Sequence, residues 1–279
     1  MKFWKMNGAG NDFIIINNIE EKIPTEEFPR MAKLLCERHL SIGADGLMAV
    51  EKPTENVTAD YRMLFYNSDG SMGEMCGNGA RCICRYGYEK GLAGTVQKVE
   101  TTAGIVIGER IDKRLYRIRL NDPCNLRFDE PIAVDGRLYS CSYAELGSPG
   151  IPHCVVAIKN LRDYPESELL ELARRLRNYK GYPKGANVNF CEIIGPDLVF
   201  ERTYERGVED FTYACGTGTG SVVAILTLQG RVSGRNVKVD VPGGTLVIDV
   251  EMKGDKIENL YLTGPTNIVA KGEIADEDL

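Results

Sequence analysis

Short apolar runs recur along the chain, each closed by Gly, Asn, Asp or Pro. They fall at 12–17, 64–66, 97–102, 105–109, 115–120, 154–158, 187–193, 198–204, 236–241 and 245–250. Their enrichment in Val, Ile, Phe and Tyr predicts strands. Two segments have a helical period instead. Residues 25–38 place Phe28, Met31, Leu34 and Leu35 on one face; residues 166–178 do the same with Leu169, Leu170, Leu172, Ala173 and Leu176. Glu residues at the start of the second segment suit the positive end of a helix dipole.

The pattern repeats. Cys76-Gly-Asn-Gly-Ala-Arg-Cys82 resembles Cys215-Gly-Thr-Gly-Thr-Gly-Ser221, and the two leading cysteines are 139 residues apart. Gly104 and Gly243 each lie 28 residues after their cysteine, and Leu34 and Ala173 each lie 42 before it. Asn11 and Ile151 precede their cysteines by 65 and 64 residues. Four elements in one order at one spacing point to two homologous α+β halves. They meet near residue 120. The domains expected are 1–120, rejoined by a C-terminal strand within 264–279, and 121–263.

Composition narrows the class. Hydrophobic residues make up 43% and charged residues 27%, as in a globular protein. The net charge of -6, with no basic stripe, argues against nucleic acid as a partner. The longest apolar stretch, 222–226, is far below the length that spans a bilayer. The N-terminus lacks the apolar core of a signal peptide. Nine cysteines at irregular spacing make a poor disulfide framework, so a reduced, cytoplasmic protein is expected. With only His39 and His153, an imidazole-rich metal site and a Ser-His-Asp triad are both disfavoured, and no metal or cofactor is expected. Cys82 and Cys84 would point to different faces of a helix and read as packing thiols. His153 reads as a hydrogen-bonded structural residue.

Each cysteine motif opens a helix that a glycine, Gly91 or Gly230, would stop. The second helix is apolar on every side and should be buried. Glycines at such a turn let the backbone approach a ligand closely. The first helical N–H groups point outward and suit a carboxylate. A cysteine there feels the positive helix end, which favours its thiolate. One Cys-Gly-x-Gly alone would mean only a buried cysteine beside a tight turn. Two of them can flank one α-carbon. One thiolate then takes the α-proton, the other thiol gives a proton to the opposite face, and the amides stabilise the enolate-like charge. Gly216-Thr-Gly-Thr-Gly220 lacks the spacing of a dinucleotide fingerprint, and neither turn has the Lys-Ser/Thr of a P-loop.

The chain resembles the diaminopimelate epimerases over essentially its whole length. FWKMNGAGNDF resembles their opening motif, YNSDGSMGEMCGNGARC the first cysteine motif and ERGVEDFTYACGTGTG the second; PHCV, NVNF and VPGG follow in the family's order. The resemblance implies two halves of pseudo-twofold relation, each a curled, mostly antiparallel sheet around a central helix, with the site in the cleft between them. It implies that Cys76 and Cys215 are the acid/base pair. It further implies that Gly77, Asn78, Gly216 and Thr217 offer amides to the α-carboxylate, and that Asn11, Asn67, Asn187, Glu205 and Arg206 hold the substrate. A guanidinium such as Arg206 suits a distal carboxylate. Asn67 and Arg206 both lie nine residues before their cysteines. A homodimer is also implied.

Three positions depart from the family pattern. Ile151 stands where Asn usually precedes Pro-His-Cys. The segment GVEDFTYACG is one residue longer than usual, with Phe211 before Thr212. Gly46 stands where some members carry Gln. All three are expected at the distal end of the site. The reading is therefore a cofactor-independent epimerase, with LL- and meso-diaminopimelate as first substrates. A racemase of another amino acid, such as histidine, is the close alternative. A binding protein without chemistry is the alternative of another class, and an isomerase working through a carboxylate is disfavoured by the two cysteines.

Overall fold

The computed structural model describes residues 1–73 and 76–275. Glu74 and Met75 of the first cysteine motif, and residues 276–279 of the C-terminal segment, lie outside the described residues. Two compact units are present: Met1–Ile118 with Gly264–Leu279, and Arg119–Thr263.

In the first unit, β1 (Lys2–Gly8) and β2 (Asn11–Asn17) form an antiparallel hairpin. Ala9 and Gly10 turn it at φ 50° and 96°, the left-handed pair that a two-residue hairpin turn requires. Helices α1 (Asn18–Glu21) and α2 (Phe28–Cys36) carry the chain to β3 (Gly46–Glu51), parallel to β2. Strand β4 (Tyr61–Asn67) is antiparallel to β3. Helix α3 (Gly77–Glu89) then crosses to β5 (Val96–Thr101), parallel to β4. The antiparallel strands β6 (Gly104–Arg110) and β7 (Leu115–Leu120) follow. The last strand of the chain, β17 (Asn267–Glu273), pairs with β1. It is tied to the central helix where buried Arg85 donates to the Thr266 carbonyl at 2.6 Å.

The second unit repeats this order. It holds β8 (Pro123–Val134), β9 (Arg137–Gly147) and β10 (Gly150–Ala157), then α4 (Glu166–Arg177) and β11 (Asn187–Gly195), parallel to β10. Strand β12 (Leu198–Glu205) is antiparallel to β11 and carries the short β13 (Asp210–Thr212). Helix α5 (Gly216–Leu228) crosses to β14 (Val237–Val241), parallel to β12, and the antiparallel β15 (Gly244–Lys253) and β16 (Lys256–Pro265) follow. Pairing directions match throughout, with β17 in the first unit taking the place of β8 in the second. The chain is mixed α/β with mostly antiparallel pairing, as expected.

Alternation along β2 explains its unbroken apolar run. Phe13 and Ile15 pack toward α3, while Ile14 and Ile16 pack toward α2. A strand covered on both faces needs no polar alternation. Helix α2 is shorter than the 25–38 segment: residues 25–27 form a 3-10 turn and Pro29 sits in its first turn. Its buried face is Phe28, Met31, Ala32, Leu35 and Cys36, and Leu34, expected inside, is exposed. In α4 the buried set is Leu169, Leu172, Ala173 and Leu176. Strands β1, β3, β8, β9, β13 and β16 lay outside the predicted runs. Strand β8 contains two prolines and two breaks of register, and β16 alternates polar and apolar residues, so neither makes a continuous apolar signal.

Helices α3 and α5 are buried through most of their length and end alike. Gly91 (φ 70°) and Gly230 (φ 67°) close the same cap, with Leu92 N–H bonded to Gly87 O at 2.9 Å and Arg231 N–H to Leu226 O at 2.8 Å. At Gly87 the helix presses on Tyr61, where a Cβ would lie 2.6–2.7 Å from the ring and its oxygen. That phenol is pinned 2.6 Å from Gln97 Oε1. Gly87→Ala is therefore expected to lose about 1–3 kcal/mol by overpacking. Gly91→Ala has open space and a left-handed backbone, and should lose about 1–2 kcal/mol from the backbone alone. Urea unfolding of both variants checks this; a Gly87→Ala protein as stable as the parent would refute the close approach.

Candidate active site

Both cysteines of the repeated motif sit at the same structural position. Cys76 is the N-cap of α3 (φ -104°, ψ 122°), and Cys215 is the N-cap of α5 (φ -116°, ψ 106°). The first helical bonds are Ala80 N–H to Cys76 O at 2.8 Å and Thr219 N–H to Cys215 O at 2.9 Å. The amides of Gly77 and Asn78, and those of Gly216 and Thr217, therefore have no acceptor within their helices.

In the first unit a line of polar groups runs from α3 to the hairpin. Buried Arg81 donates to Asn78 Oδ1 at 2.6 Å, Asn78 Nδ2 to Asn11 Oδ1 at 2.6 Å, and Asn11 Nδ2 to Asp45 Oδ2 at 3.0 Å. Arg38 bridges Asp45 and Asp12, at 2.9 and 2.7 Å, and Lys5 pairs with Asp12 at 2.8 Å. Burial pushes the Asp12 carboxyl up, but Arg38 and Lys5 outweigh it and hold it below the usual carboxylate range. Asn11 and Asn78 are thus in direct contact. Asn67 ends β4 and donates to Ser71 Oγ at 3.0 Å. Gly46 is its register partner, and a Cβ there would lie 2.4 Å from the Phe65 ring and 2.6 Å from Tyr66 O. The backbone admits no side chain at 46, so that departure from the family belongs to sheet packing.

In the second unit, Asn187 begins β11. Its Oδ1 accepts the Arg206 N–H at 2.8 Å and its Nδ2 lies 3.4 Å from Pro152 O. The exposed Arg206 guanidinium donates to Lys184 O at 2.8 Å and makes no ion pair among the described residues. Glu205 accepts the Thr212 hydroxyl at 2.5 Å. Thr217 Oγ1 lies 3.6 Å from Cys215 Sγ. Burial pushes the Cys215 thiol well above its ordinary pKa and the Glu205 charge adds to this, while the Thr217 hydroxyl and Gly218 N–H pull the other way. The helix-end effect expected from the sequence is therefore overridden at Cys215, which rests as a thiol. Desolvation outweighs a partial charge at a helix terminus.

Phe211 was expected at the distal end of the site, making it less polar, and is elsewhere. It packs 5.8 Å from the Tyr204 ring and 6.3 Å from the Phe190 ring, under the Arg202 guanidinium, on the face of the sheet that holds α4. Period two along β13 turns Thr212, not Phe211, to the α5 face. Ile151 alternates with Pro152 on β10 and shares its face with His153.

Sequence reasoning missed a polar layer under α5. Asn189 Nδ2 donates to Cys154 O at 3.0 Å and faces His153 Nδ1 at 3.2 Å. The carbonyl fixes the amide's orientation, so Nδ1 accepts and Nε2 carries the proton. That Nε2–H has no partner among the described residues. Glu201, Thr203 and Thr219 continue the layer. The available signal was the alternation of Asn187 and Asn189 with that of Glu201, Thr203 and Glu205. Cys36, Cys82 and Cys84 are buried thiols, each pushed up to about 12 by burial.

His153 is wholly buried, and burial, aided by the Arg206 charge, lowers its pKa to about 3. A base depressed in the fold binds fewer protons than in the unfolded chain between about pH 3 and 6.5, so stability is lost as pH falls through that window. His153→Gln should lack this loss. Between pH 7 and 4.5 the parent is expected to weaken relative to the variant by up to about 2–3 kcal/mol in urea unfolding; parallel curves would show that His153 is not held neutral.

The sequence model described as diaminopimelate epimerase matches residues 3–117 and 147–269. A diaminopimelate epimerase of Aquifex aeolicus (strain VF5) is 35% identical over 290 residues, spanning 100% of this chain and 99% of its own. Among solved structures, a phenazine biosynthesis protein of the PhzF family from Bacillus anthracis superposes with TM-score 0.74 at 15% identity, over 99% of each chain. A hydroxyproline epimerase from Agrobacterium vitis superposes with TM-score 0.71 at 17% identity, over 98% of this chain and 90% of that one. These two speak for the fold. The doubled cysteine-capped helix, the matched order of strands and the similarity along the whole sequence agree: the chain belongs to the diaminopimelate epimerase family.

Proposed function

We propose that the protein epimerises the α-carbon of an amino acid without a cofactor, and that its substrate pair is LL- and meso-diaminopimelate. Cys76 and Cys215 act as the acid/base pair on opposite faces of that carbon. The observation that carries the reading is the duplication itself: two buried helices of 13 residues, each capped by a cysteine and each starting on glycine-rich backbone. In one direction the Cys76 thiolate takes the α-proton and the Cys215 thiol donates from the other side; the reverse direction exchanges the roles. Cys215, held as a thiol by burial and by Glu205, is in the donor form. The amides of Gly77, Asn78, Gly216 and Thr217 receive the α-carboxylate and the enolate-like charge that spreads into it. Asn11, Asn67, Asn187, Glu205 and Arg206 hold the remainder of the substrate. The exposed Arg206 guanidinium, bonded among the described residues to the Lys184 carbonyl, has donors left for a distal carboxylate.

Ile151 favours a second reading. An apolar residue beside Pro152 offers no hydrogen bond to a distal ammonium or carboxylate, which suits a racemase of another amino acid such as histidine. A non-catalytic binding protein would keep ligand affinity without Cys76. Among the described residues no helix is long and apolar enough to cross a membrane. We place the protein in the cytoplasm as a homodimer acting on a small molecule, with no nucleic-acid or membrane partner.

The deciding experiment is α-hydrogen exchange in D2O with reductant, offering LL-diaminopimelate, L-histidine, L-lysine and L-glutamate separately. Deuterium uptake by diaminopimelate alone is expected. Uptake by histidine alone would transfer the protein to the second reading, and uptake by none would favour a binder. Cys76→Ala and Cys215→Ala should each lower exchange by at least ~10²-fold, the scale of a lost general acid or base. Arg206→Ala should raise KM for diaminopimelate tenfold or more with kcat changed far less; an unchanged KM would remove Arg206 from the distal end.

A further inference from the structure

Beneath the first turn of α5 lies a carboxyl that the reaction above does not use. Glu201 on β12 is fully buried. Its Oε2 accepts from Thr219 Oγ1 at 2.7 Å, and its Oε1 lies 3.2 Å from Thr203 Oγ1. Each hydroxyl also faces another acceptor. Thr219 Oγ1 is 3.0 Å from the Cys215 carbonyl, and Thr203 Oγ1 is 3.1 Å from Asn189 Oδ1.

A hydroxyl carries one proton and serves one acceptor at a time. When Glu201 is ionised, both hydroxyls turn to it, and the Cys215 carbonyl and Asn189 Oδ1 lose them. When Glu201 is protonated, its own O–H is donated to one hydroxyl, and that hydroxyl's proton goes to its second acceptor. The proton on Glu201 is therefore read at the N-cap of α5 and, through Asn189, beside His153.

The surroundings make this carboxyl titrate in a useful range. No cation pairs with it among the described residues. Burial pushes it up to about 7, the Thr219 and Thr203 hydroxyls pull back, and the Glu205 charge adds to the rise. Cys191 faces it across the β11–β12 pair and is pushed up to about 12 by burial and by Glu201 itself, with Arg231 opposing. His153, reached through Asn189, stays neutral. The other acidic groups whose charge bears on this pair are Glu205 on its own strand and the Cys215 thiol at the start of α5. The Glu201 charge acts directly against ionisation of Cys215.

We propose that Glu201 is a positioning residue for Cys215: through the Thr219 hydroxyl, which also reaches the Cys215 carbonyl, and through its charge, it tunes how readily the sulfur at the start of α5 ionises. This rests on the reading of Cys215 as a reacting thiol. The protonated carboxyl steadies the helix turn and eases ionisation of the thiol, and the ionised carboxyl opposes it.

The test is the pH dependence of Cys215 alkylation by iodoacetamide in the full chain, followed by peptide mass spectrometry, with Cys76 as internal reference. Glu201→Gln keeps a hydrogen bond to Thr219 and removes the charge. Its Cys215 midpoint should move down by about one pH unit, giving about tenfold faster alkylation at pH 7.5 with Cys76 unchanged. An unmoved midpoint overturns the proposal, as does an equal shift at both cysteines. Should Glu201→Gln not fold, the parent enriched with 13C at glutamate Cδ answers instead. One carboxyl should titrate near pH 7, and its midpoint should rise when Cys215 is carboxymethylated with iodoacetate but not when it is carbamidomethylated. No glutamate titrating between about pH 6 and 8 overturns the proposal. Neither readout needs turnover: shifted alkylation without α-hydrogen exchange supports Glu201's role and defeats the epimerase reading, and the converse defeats Glu201 alone.

Discussion

A helix buried along its length cannot hide its first three amides. They have no acceptor inside the helix, and leaving them dry and unpaired would cost about 1–3 kcal/mol each. Helices α3 and α5 both face this problem in the middle of their own sheets. The chain meets it the same way twice, with glycines in the first turn and a cysteine at the cap. In the proposed function it is these amides that receive the carboxylate.

Supporting such an end requires polar groups inside a hydrophobic core, and each unit does so differently. Under α3 the network is charged and compensated, with Arg38 and Lys5 balancing Asp12 and Asp45. It reaches the helix through Asn11 and Asn78, so the asparagine in the first turn is held from both sides. Under α5 the network contains a neutral imidazole, an amide, two threonines and a carboxyl that no cation neutralises among the described residues. In the first arrangement Arg38 and Lys5 hold the Asp12 carboxyl below the usual carboxylate range. The second sits close to a change of protonation, directly behind Cys215.

The duplication, the two amphipathic helices and the buried character of α5 were legible in the residues, because apolar periodicity and glycine stops are local signals. Strand β3 carries such a local run, at 47–50, and escaped notice all the same, but other missed strands were of another kind. Strands β1 and β16 mix Lys, Glu and Asn with apolar residues, and β8 contains prolines; they pair because neighbours complete them, which no local window contains. Leu34 and Phe211 show the same limit on a smaller scale. A shift of one position around a helix exposes Leu34, and one step along β13 sends Phe211 into the α4 core.

Residue identity by itself determined which chemistry was available: two cysteines, each followed by glycine-rich backbone, with asparagine and arginine at matching distances before them. Tertiary structure decided the state of those groups. Nothing in Cys215's neighbours along the chain says that burial and Glu205 hold it as a thiol. Glu201, fourteen positions earlier, carries no motif that would place it under the same helix turn. Ionisation depends on solvent exclusion and on charges brought close by strand pairing, and both arise only when distant segments pack together.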